Sequence, residues 1–398
     1  MTPSPSPSTP SHSVAVTLLP IMAAVLAGFV VIGAALPVLP LHVSHNLGFG
    51  SVVVGVVAGA QFAASLISRV WSGSYSDVNG GKRAVLIGLA TAAVAGLFYL
   101  LSVAAEGSPA LSVSILVVGR AVLGGAESFI ITGGVAWGLA LVDSGHSGKV
   151  IAWVGTAMFA ALAFSGPFGT ILFTSCGFVA IGLLTALLPL VVLVSLLRTP
   201  GPRRRVRQRK SNLRAVIGTV WLPGLGAALA SIGYGSILAF SSLLYADNRW
   251  QPVWLGFTAF GAALIAARMI CGHLPDRYGG AKIALLFVLV QSAGLLVMGL
   301  AGTSVLASSG AALAGFGYSL VYPGLGVEAV GTTSPENRGL AMGIYTAFLD
   351  IAMAIGSPTL GWIADRNGLN AVFIVSAAIT LSTTAVAFRL LRREREIQ

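Results

Sequence analysis

Charge is what this chain has least of. Only 9% of its 398 residues are charged and 56% are hydrophobic, whereas soluble domains carry about 25% charged residues. So little charge cannot clothe a water-facing surface, which rules out a soluble globular protein and implies an exterior that faces hydrocarbon. The two cysteines, Cys176 and Cys271, lie in or beside apolar segments with no metal-ligand spacing, so a disulfide scaffold and a cysteine metal centre are both unsupported. Five histidines, at positions 12, 42, 45, 146 and 273, are scattered without a motif. They provide no nucleophile–base cluster for a membrane enzyme, and His42 with His45 alone is too few for a metal. No glycine-rich loop ending in Lys-Ser/Thr suggests an ATP-driven pump. The expectation is therefore no metal, no cofactor and no enzymatic activity. The opening MTPSPSPSTPSHS contains no basic residue, lacks the charged start of a signal peptide, and reads as a disordered tail over 1–13.

What the chain does have is apolar runs. They fall at 14–36, 51–75, 84–103, 111–140, 149–172, 177–197, 216–244, 253–274, 282–301, 306–330, 339–362 and 369–390. At about 20 residues per spanning helix, twelve crossings and their connections use the whole length. Fifty glycines suit a membrane bundle, where small residues let helices approach. The fold expected is an all-α membrane protein of twelve transmembrane helices, probing no nucleic acid despite a net charge of +11, because the basic residues sit in short gaps between runs as orientation signals do.

The longest gap, RTPGPRRRVRQRKSNLR at 198–214, carries eight basic residues near the midpoint. With the N-terminus inside, 18 of the 23 basic residues face the cytoplasm and only Arg249 and Arg366 lie outside; the positive-inside rule favours that orientation. Arg69, Arg120 and Arg268 fall within spans. The organisation expected is a tail at 1–13, a six-helix bundle at 14–197, a basic cytoplasmic linker at 198–215, a second bundle at 216–391, and a tail at 392–398. Both termini are expected to be cytoplasmic.

An internal repeat supports two related halves. Arg69, Gly73, Asp77 and Gly80–Gly81 recur 199 residues later as Arg268, Gly272, Asp276 and Gly279–Gly280. A second echo links GPFG (Gly166, Pro167, Gly169) to GSPTLG, placing Pro167 and Pro358 191 residues apart. The loop GSYSDVNGGKR (Gly73, Asp77, Gly80, Lys82, Arg83) resembles the signature between the second and third helices of the major facilitator superfamily. Val78 departs from it, while the second copy has the usual basic residue at Arg277, with Gly272, Asp276, Gly279 and Lys282. Arg120 and Gly124 resemble the family's fourth-helix motif, and Gly166, Pro167 and Gly169 a partial form of its antiporter motif. Segments such as RAVLGGAESFIITGGVAW further resemble a bacterial drug- and sugar-efflux-like branch.

The resemblance implies two pseudo-symmetric six-helix bundles, alternating access, a monomer in the bilayer of a bacterial inner membrane, and a small organic solute moved by proton antiport; proton-coupled uptake is the rival. It also implies a cytoplasmic gate of Gly73, Asp77, Lys82, Arg83, Gly272, Asp276 and Arg277. Asp77 and Asp276, at helix ends, can accept hydrogen bonds from a neighbouring helix N-terminus. They would then latch that side shut, or else serve as static loop ties.

Ionisable groups within spans are costly and usually functional. Arg120 and Glu127 are seven residues apart on one helix, close to two turns and so on one face. Asp350 lies within YTAFLDIAMAIG. Burial and a neighbouring arginine compete for whether such an acid holds its proton. That competition fits Glu127 as proton carrier, poised by Arg120, with Asp350 as a second proton or substrate site. It leaves open a permanent Arg120–Glu127 pair and a hydrogen-bonded core Asp350. Arg69 and Arg268 are read as reaching the interface or binding loop carbonyls, with substrate contact as the other option. For a cavity lined by the first, fourth, seventh and tenth spans the candidates are Gln61, Trp137, Tyr234, Gln291, Tyr318 and Tyr322, each more often packing than ligand contact.

Overall fold

The computed structural model describes residues 14–142, 147–199, 213–331, 333 and 338–397. The expected tail at 1–13, His12, His146 and most of the basic linker lie outside the described residues. Everything regular among the described residues is helical. The elements are α1 (Val14–Ala35), α2 (Ser51–Asn79), α3 (Gly81–Ala104), α4 (Pro109–Leu141), the long helix Ser147–Leu197, α7 (Leu213–Asp247), α8 (Leu255–Cys271), α9 (Gly280–Gly299), α10 (Ser304–Gly331), α11 (Arg338–Asn367) and α12 (Leu369–Ile397). Ser147–Leu197 breaks at Gly177, whose φ of 72° is outside helical space; its arms, 147–176 and 178–197, are α5 and α6.

Among the described residues ten helices are long and apolar enough to cross a bilayer, and α8 is a further apolar helix of 17 residues. Counting α5 and α6 separately gives twelve crossings, each formed where an uninterrupted apolar run lets the backbone satisfy its own hydrogen bonds. The arms run oppositely. Along α5, Gly169 packs on Ala34 of α1, while along α6 Gly182 meets Leu100 of α3 and Ala186 meets Gly96. α1 is extended by a short helix, Leu39–Leu41, and a π-turn, His42–Asn46.

The repeat reappears in backbone geometry. Gly80 has φ 93°, ψ 145° and Gly279 has φ 92°, ψ 139°. Each donates its N–H to a carbonyl four residues back, on Ser76 and Pro275 respectively. A side chain is strained at such a φ, so glycine at both positions lets the chain leave one span and enter the next within a single residue. The crossing of spans also repeats. A Cβ on Gly124 of α4 would lie 2.0 Å from the carbonyl oxygen of Gln61 on α2, and one on Gly315 of α10 would lie 2.1 Å from that of Phe260 on α8. Phe260 is 199 residues after Gln61 and Gly315 is 191 after Gly124, the two offsets read from the sequence.

Helices α1–α6 pack mostly among themselves, as do α7–α12, and the two sets meet through α2 with α11 and α5 with α8. Lys82, at the α2–α3 turn, donates to the carbonyls of Leu197 (3.2 Å) and Thr199, which places that turn at the face carrying the linker. On the opposite, far face the two sets close tightly. A Cβ on Gly55 would meet Ser357 O at 2.2 Å and Pro358 Cα at 2.7 Å, and one on Gly361 would meet Ser51 O at 2.2 Å. Asp365 accepts the N–H groups of Ser51 (2.7 Å) and Val52 (3.1 Å), fastening the start of α2 to the end of α11. Gly166 on α5 faces the ring of Phe257 on α8 in the same way, at 2.5 Å. Gly166, Gly169 and Pro358, singled out as an antiporter-like motif, thus sit in the far-face closure, Gly169 and Pro358 against α1 and α2.

Candidate functional site

Between the halves lies a polar seam built on one stripe of α2. Gln61, Ser65 and Arg69 are spaced four apart and so project from one side of the helix. Gln61 Nε2 donates to Glu127 Oε2 at 2.6 Å. Ser65 and Ser128 share a hydrogen bond of 3.0 Å, and Ser128 Oγ also donates to Ser65 O at 2.9 Å. Arg69 donates through Nη2 to Ser65 Oγ at 3.2 Å, and through Nε and Nη2 to Asp350 Oδ2 at 3.0 and 2.6 Å. Asp350 is nearly fully buried. The Arg69–Asp350 pair therefore joins α2 of one half to α11 of the other, on the linker side of the glycine contacts.

Two expectations change here. Arg69 does not reach for loop carbonyls; it is the counter-ion of Asp350, because the two helices that close the far face carry both side chains toward the same gap. Arg120 and Glu127 share a helix face but no bond. Glu127 turns to Gln61, while Arg120, fully buried, has as its hydrogen-bond partner Tyr99 Oη at 3.4 Å. Two turns of helix separate the residues by about 10 Å along the axis, too far for direct pairing.

The other half meets the seam with aromatic groups. Tyr234 of α7 stacks on Tyr318 of α10, centroids 4.8 Å apart and planes within 6°, and Phe260 of α8 lies 5.7 Å from Tyr234. Tyr318 Oη and Ser231 Oγ are 3.1 Å apart. Tyr322 shares a hydrogen bond of 3.0 Å with Thr346 of α11, and Tyr345 Oη donates to Tyr322 O at 2.6 Å. Arg268 donates to the Ser319 carbonyl at 3.3 Å, as the loop-carbonyl reading anticipated in kind though the acceptor is within a helix. Of the six cavity candidates, Trp137 and Gln291 stand apart from this chamber. Trp137 is buried where α4 crosses Gly81, and Gln291 is buried in the second bundle, donating to Ala230 O at 2.9 Å. Both fill helix crossings made close by glycine.

A cavity of about 890 Å³ opens from the chamber toward the linker face, between α5, α8, α10 and α11. At that face Asp77 and Asp276 are exposed and neither forms an ion pair among the described residues. Arg83 is exposed, and Arg277 lies 5.3 Å over the ring of Tyr278. A Cβ on Gly73 would meet nothing, and one on Gly272 would meet Arg268 O. Near the far face His42 is buried, stacked 4.1 Å from Phe178, with Nε2 3.9 Å from Glu106. Among the described residues no group of three or more His, Cys, Asp or Glu could hold a metal.

Sequence reasoning missed the Arg69–Asp350 pair and the Ser65–Ser128 link. The Gln61, Ser65, Arg69 spacing inside an apolar span was the available signal for a polar stripe; Asp350, 281 residues away, stood out as an acid in an apolar span but gave no sign of which cation it meets.

Two helical sets shut on one face, parted on the other and lined with buried ionisable groups define a membrane carrier. The sequence profile of the Major Facilitator Superfamily matches residues 21–327 and 224–397, and the chain belongs to that family. It is 40% identical to an MFS-type transporter of Salmonella typhimurium over 387 residues, covering 97% of this chain and 100% of the relative. It is 38% identical to one of Pseudomonas aeruginosa over 392 residues, covering 98% and 97%. Solved structures of like fold include a D-xylose–proton symporter (TM-score 0.77, 14% identity, 94% and 97% covered) and a nucleoside transporter (0.74, 13%, 94% and 99%). A third is a bacterial homologue of the human lysosomal transporter Spinster in an inward-facing, occupied conformation (0.71, 15%, 97% and 98%). The protein is a secondary transporter of a small solute.

Proposed function

We propose that the protein is a proton-coupled exporter, exchanging protons for a small organic solute across a bacterial inner membrane. The linker face is taken as cytoplasmic, on the 18-to-2 distribution of basic residues, so the conformation described is open to the cytoplasm. Two bundles, 14–197 and 216–391, rock about the seam. The observation that carries the reading is the pair of acids there, held differently. Asp350 has a guanidinium against it, while Glu127 has a neutral carboxamide. A carboxylate charge buried without a counter-ion is costly, and a proton removes that cost. Movement of Arg69 or Arg120 relative to Glu127 changes the balance, which is how a conformational change couples to proton uptake.

Asp350 is the second station. Its bond to Arg69 crosses the halves, so breaking it belongs to the same step as parting α2 from α11. Asp77 and Asp276, without an ion pair among the described residues, would close as latches when the cytoplasmic side shuts. The partial antiporter motif at Gly166, Pro167 and Gly169 supports exchange. Like-fold structures of a D-xylose–proton symporter and a fucose–proton symporter favour proton coupling, and symport is the reading that the direction of flux would select instead.

The test begins with a ligand found by thermal shift of purified protein, followed by flux in proteoliposomes under an imposed pH gradient. Glu127→Gln is expected to reduce pH-driven flux to the level of empty vesicles while leaving ligand-induced thermal stabilisation in place. Full pH-driven transport by that variant would remove Glu127 from the coupling role.

A further inference from the structure

Arg120 is a buried cation for which the protein supplies little. It is fully buried, and its one hydrogen bond, from Nη1 to Tyr99 Oη, is long at 3.4 Å. Nε and Nη2 are buried as well and have no hydrogen-bond partner among the described residues. Nor does Arg120 form an ion pair among them. Glu127 is two helical turns away and bonded to Gln61, and Glu106 lies beside His42. A guanidinium has five donors and no acceptor, so only an acceptor answers the two idle nitrogens. Only a negative one answers the buried charge, which is strongly destabilising when left alone.

Beside Arg120 is a void of about 10 Å³, room for one water-sized particle. Leu36 and Val43, which follow α1, Val54 and Val57 of α2, and Leu238 and Ala239 of α7 form most of its wall. All six are buried, and among the described lining residues Arg120 alone has a polar side chain. A water there accepts from the guanidinium, but the lining side chains offer its own hydrogens no acceptor, and the charge stays uncompensated. A carboxylate brings three heavy atoms, more than the space holds. A halide ion accepts from every side, donates nothing and packs against methyl groups. We propose that Arg120 anchors a site for one monoatomic anion, chloride in kind, enclosed by α1, α2, α4 and α7. Val54 and Val57 flank the Gly55 contact with α11, so the site lies on the far side of the seam. Since α7 belongs to the second half and the other three helices to the first, the ion bridges the halves and favours the state with that face shut. The proposal depends on this packing and not on proton coupling.

The experiment follows thermal unfolding of the full chain in detergent while chloride replaces gluconate at constant ionic strength. The midpoint is expected to rise saturably by about 2–5 °C, the order that a ligand at tenfold its Kd produces. Bromide should act like chloride, and acetate like gluconate. Arg120→Gln is expected to abolish the chloride response, because it removes the charge. Ala239→Val leaves Arg120 in place and adds two methyl groups at the void. It should abolish the response too, and it keeps the test decisive if Arg120→Gln does not fold. The inference is overturned if the wild-type midpoint is the same in chloride and gluconate, or if the response survives either substitution. It is also overturned if acetate stabilises as well as chloride, which would make the place a subsite for a carboxylate of the solute.

Discussion

Two crossings in this molecule share a backbone and differ in everything else. Gly124 of α4 rests on the carbonyl of Gln61, and Gly315 of α10 rests on the carbonyl of Phe260, at nearly the same clearance. Three residues beyond each glycine the chain points into the space between the halves. In the first half that residue is Glu127, bonded to Gln61; in the second it is Tyr318, stacked on Tyr234. The arginines repeat as well, yet Arg69 grips a carboxylate and Arg268 a backbone carbonyl beside an apolar cavity. Repetition keeps what the rocking of two bundles needs, close glycine crossings and glycine turns. Chemistry sits where the repeat is broken, with an acid at one crossing and an aromatic ring at the other.

The largest effect comes from breaking the Arg69–Asp350 ion pair. Asp350→Asn leaves Arg69 without its counter-ion in a largely dehydrated seam, and removing one partner of a buried pair costs about 3–5 kcal/mol. Thermal unfolding in detergent is expected to show that loss in the single variant and a partial recovery in Arg69→Gln/Asp350→Asn, where no orphan charge remains. Equal destabilisation of the single and double variants would show that the pair adds little to holding the halves together.

A smaller effect sharpens the likeness of the crossings. Valine at Gly124 or Gly315 must push a neighbouring backbone carbonyl away, since even a Cβ would come within 2.0 or 2.1 Å of it. Overpacking of this kind costs about 1–3 kcal/mol, and the two variants should lose thermal stability by amounts that match within about 0.5 kcal/mol. A large inequality would mean that one bundle yields at its crossing and the other does not, so that the halves are mechanically unlike as well as chemically unlike.

Much of this architecture was legible because membrane helices advertise themselves through long apolar runs, and because Arg69, Asp77 and Gly80 recur at a fixed offset. Gly80 and Gly279 could be matched on sequence since a positive φ allows little else. The seam was harder. Glu127 and Asp350 stand out as acids in apolar spans, but which cation each meets is decided by how α2 and α11 close on the far face, and that depends on Gly55, Gly59 and Pro358 packing together. Trp137 and Gln291 are cavity candidates by residue type, with packing the commoner role for such residues. They are buried at crossings because Gly81 and Gly317 leave room for them there. The break between α5 and α6 rests on one glycine, Gly177, inside a helix otherwise continuous.

The smallest effect in a stability measurement belongs to the aspartates that repeat best. Asp77 and Asp276 are exposed and form no ion pair among the described residues, so Asp77→Asn and Asp276→Asn are surface changes, which cost within about 0.5 kcal/mol. Thermal unfolding should register neither. Transport should register both, because a latch unengaged while its face is open acts only in the opposite conformation, and losing it shifts the population between the two states without touching the one described. If both variants transport at the wild-type rate, the aspartates are loop ties retained from the repeat. If only one slows, the two gates have diverged as far as Glu127 and Tyr318 have, and the linker face opens by releasing a single bundle.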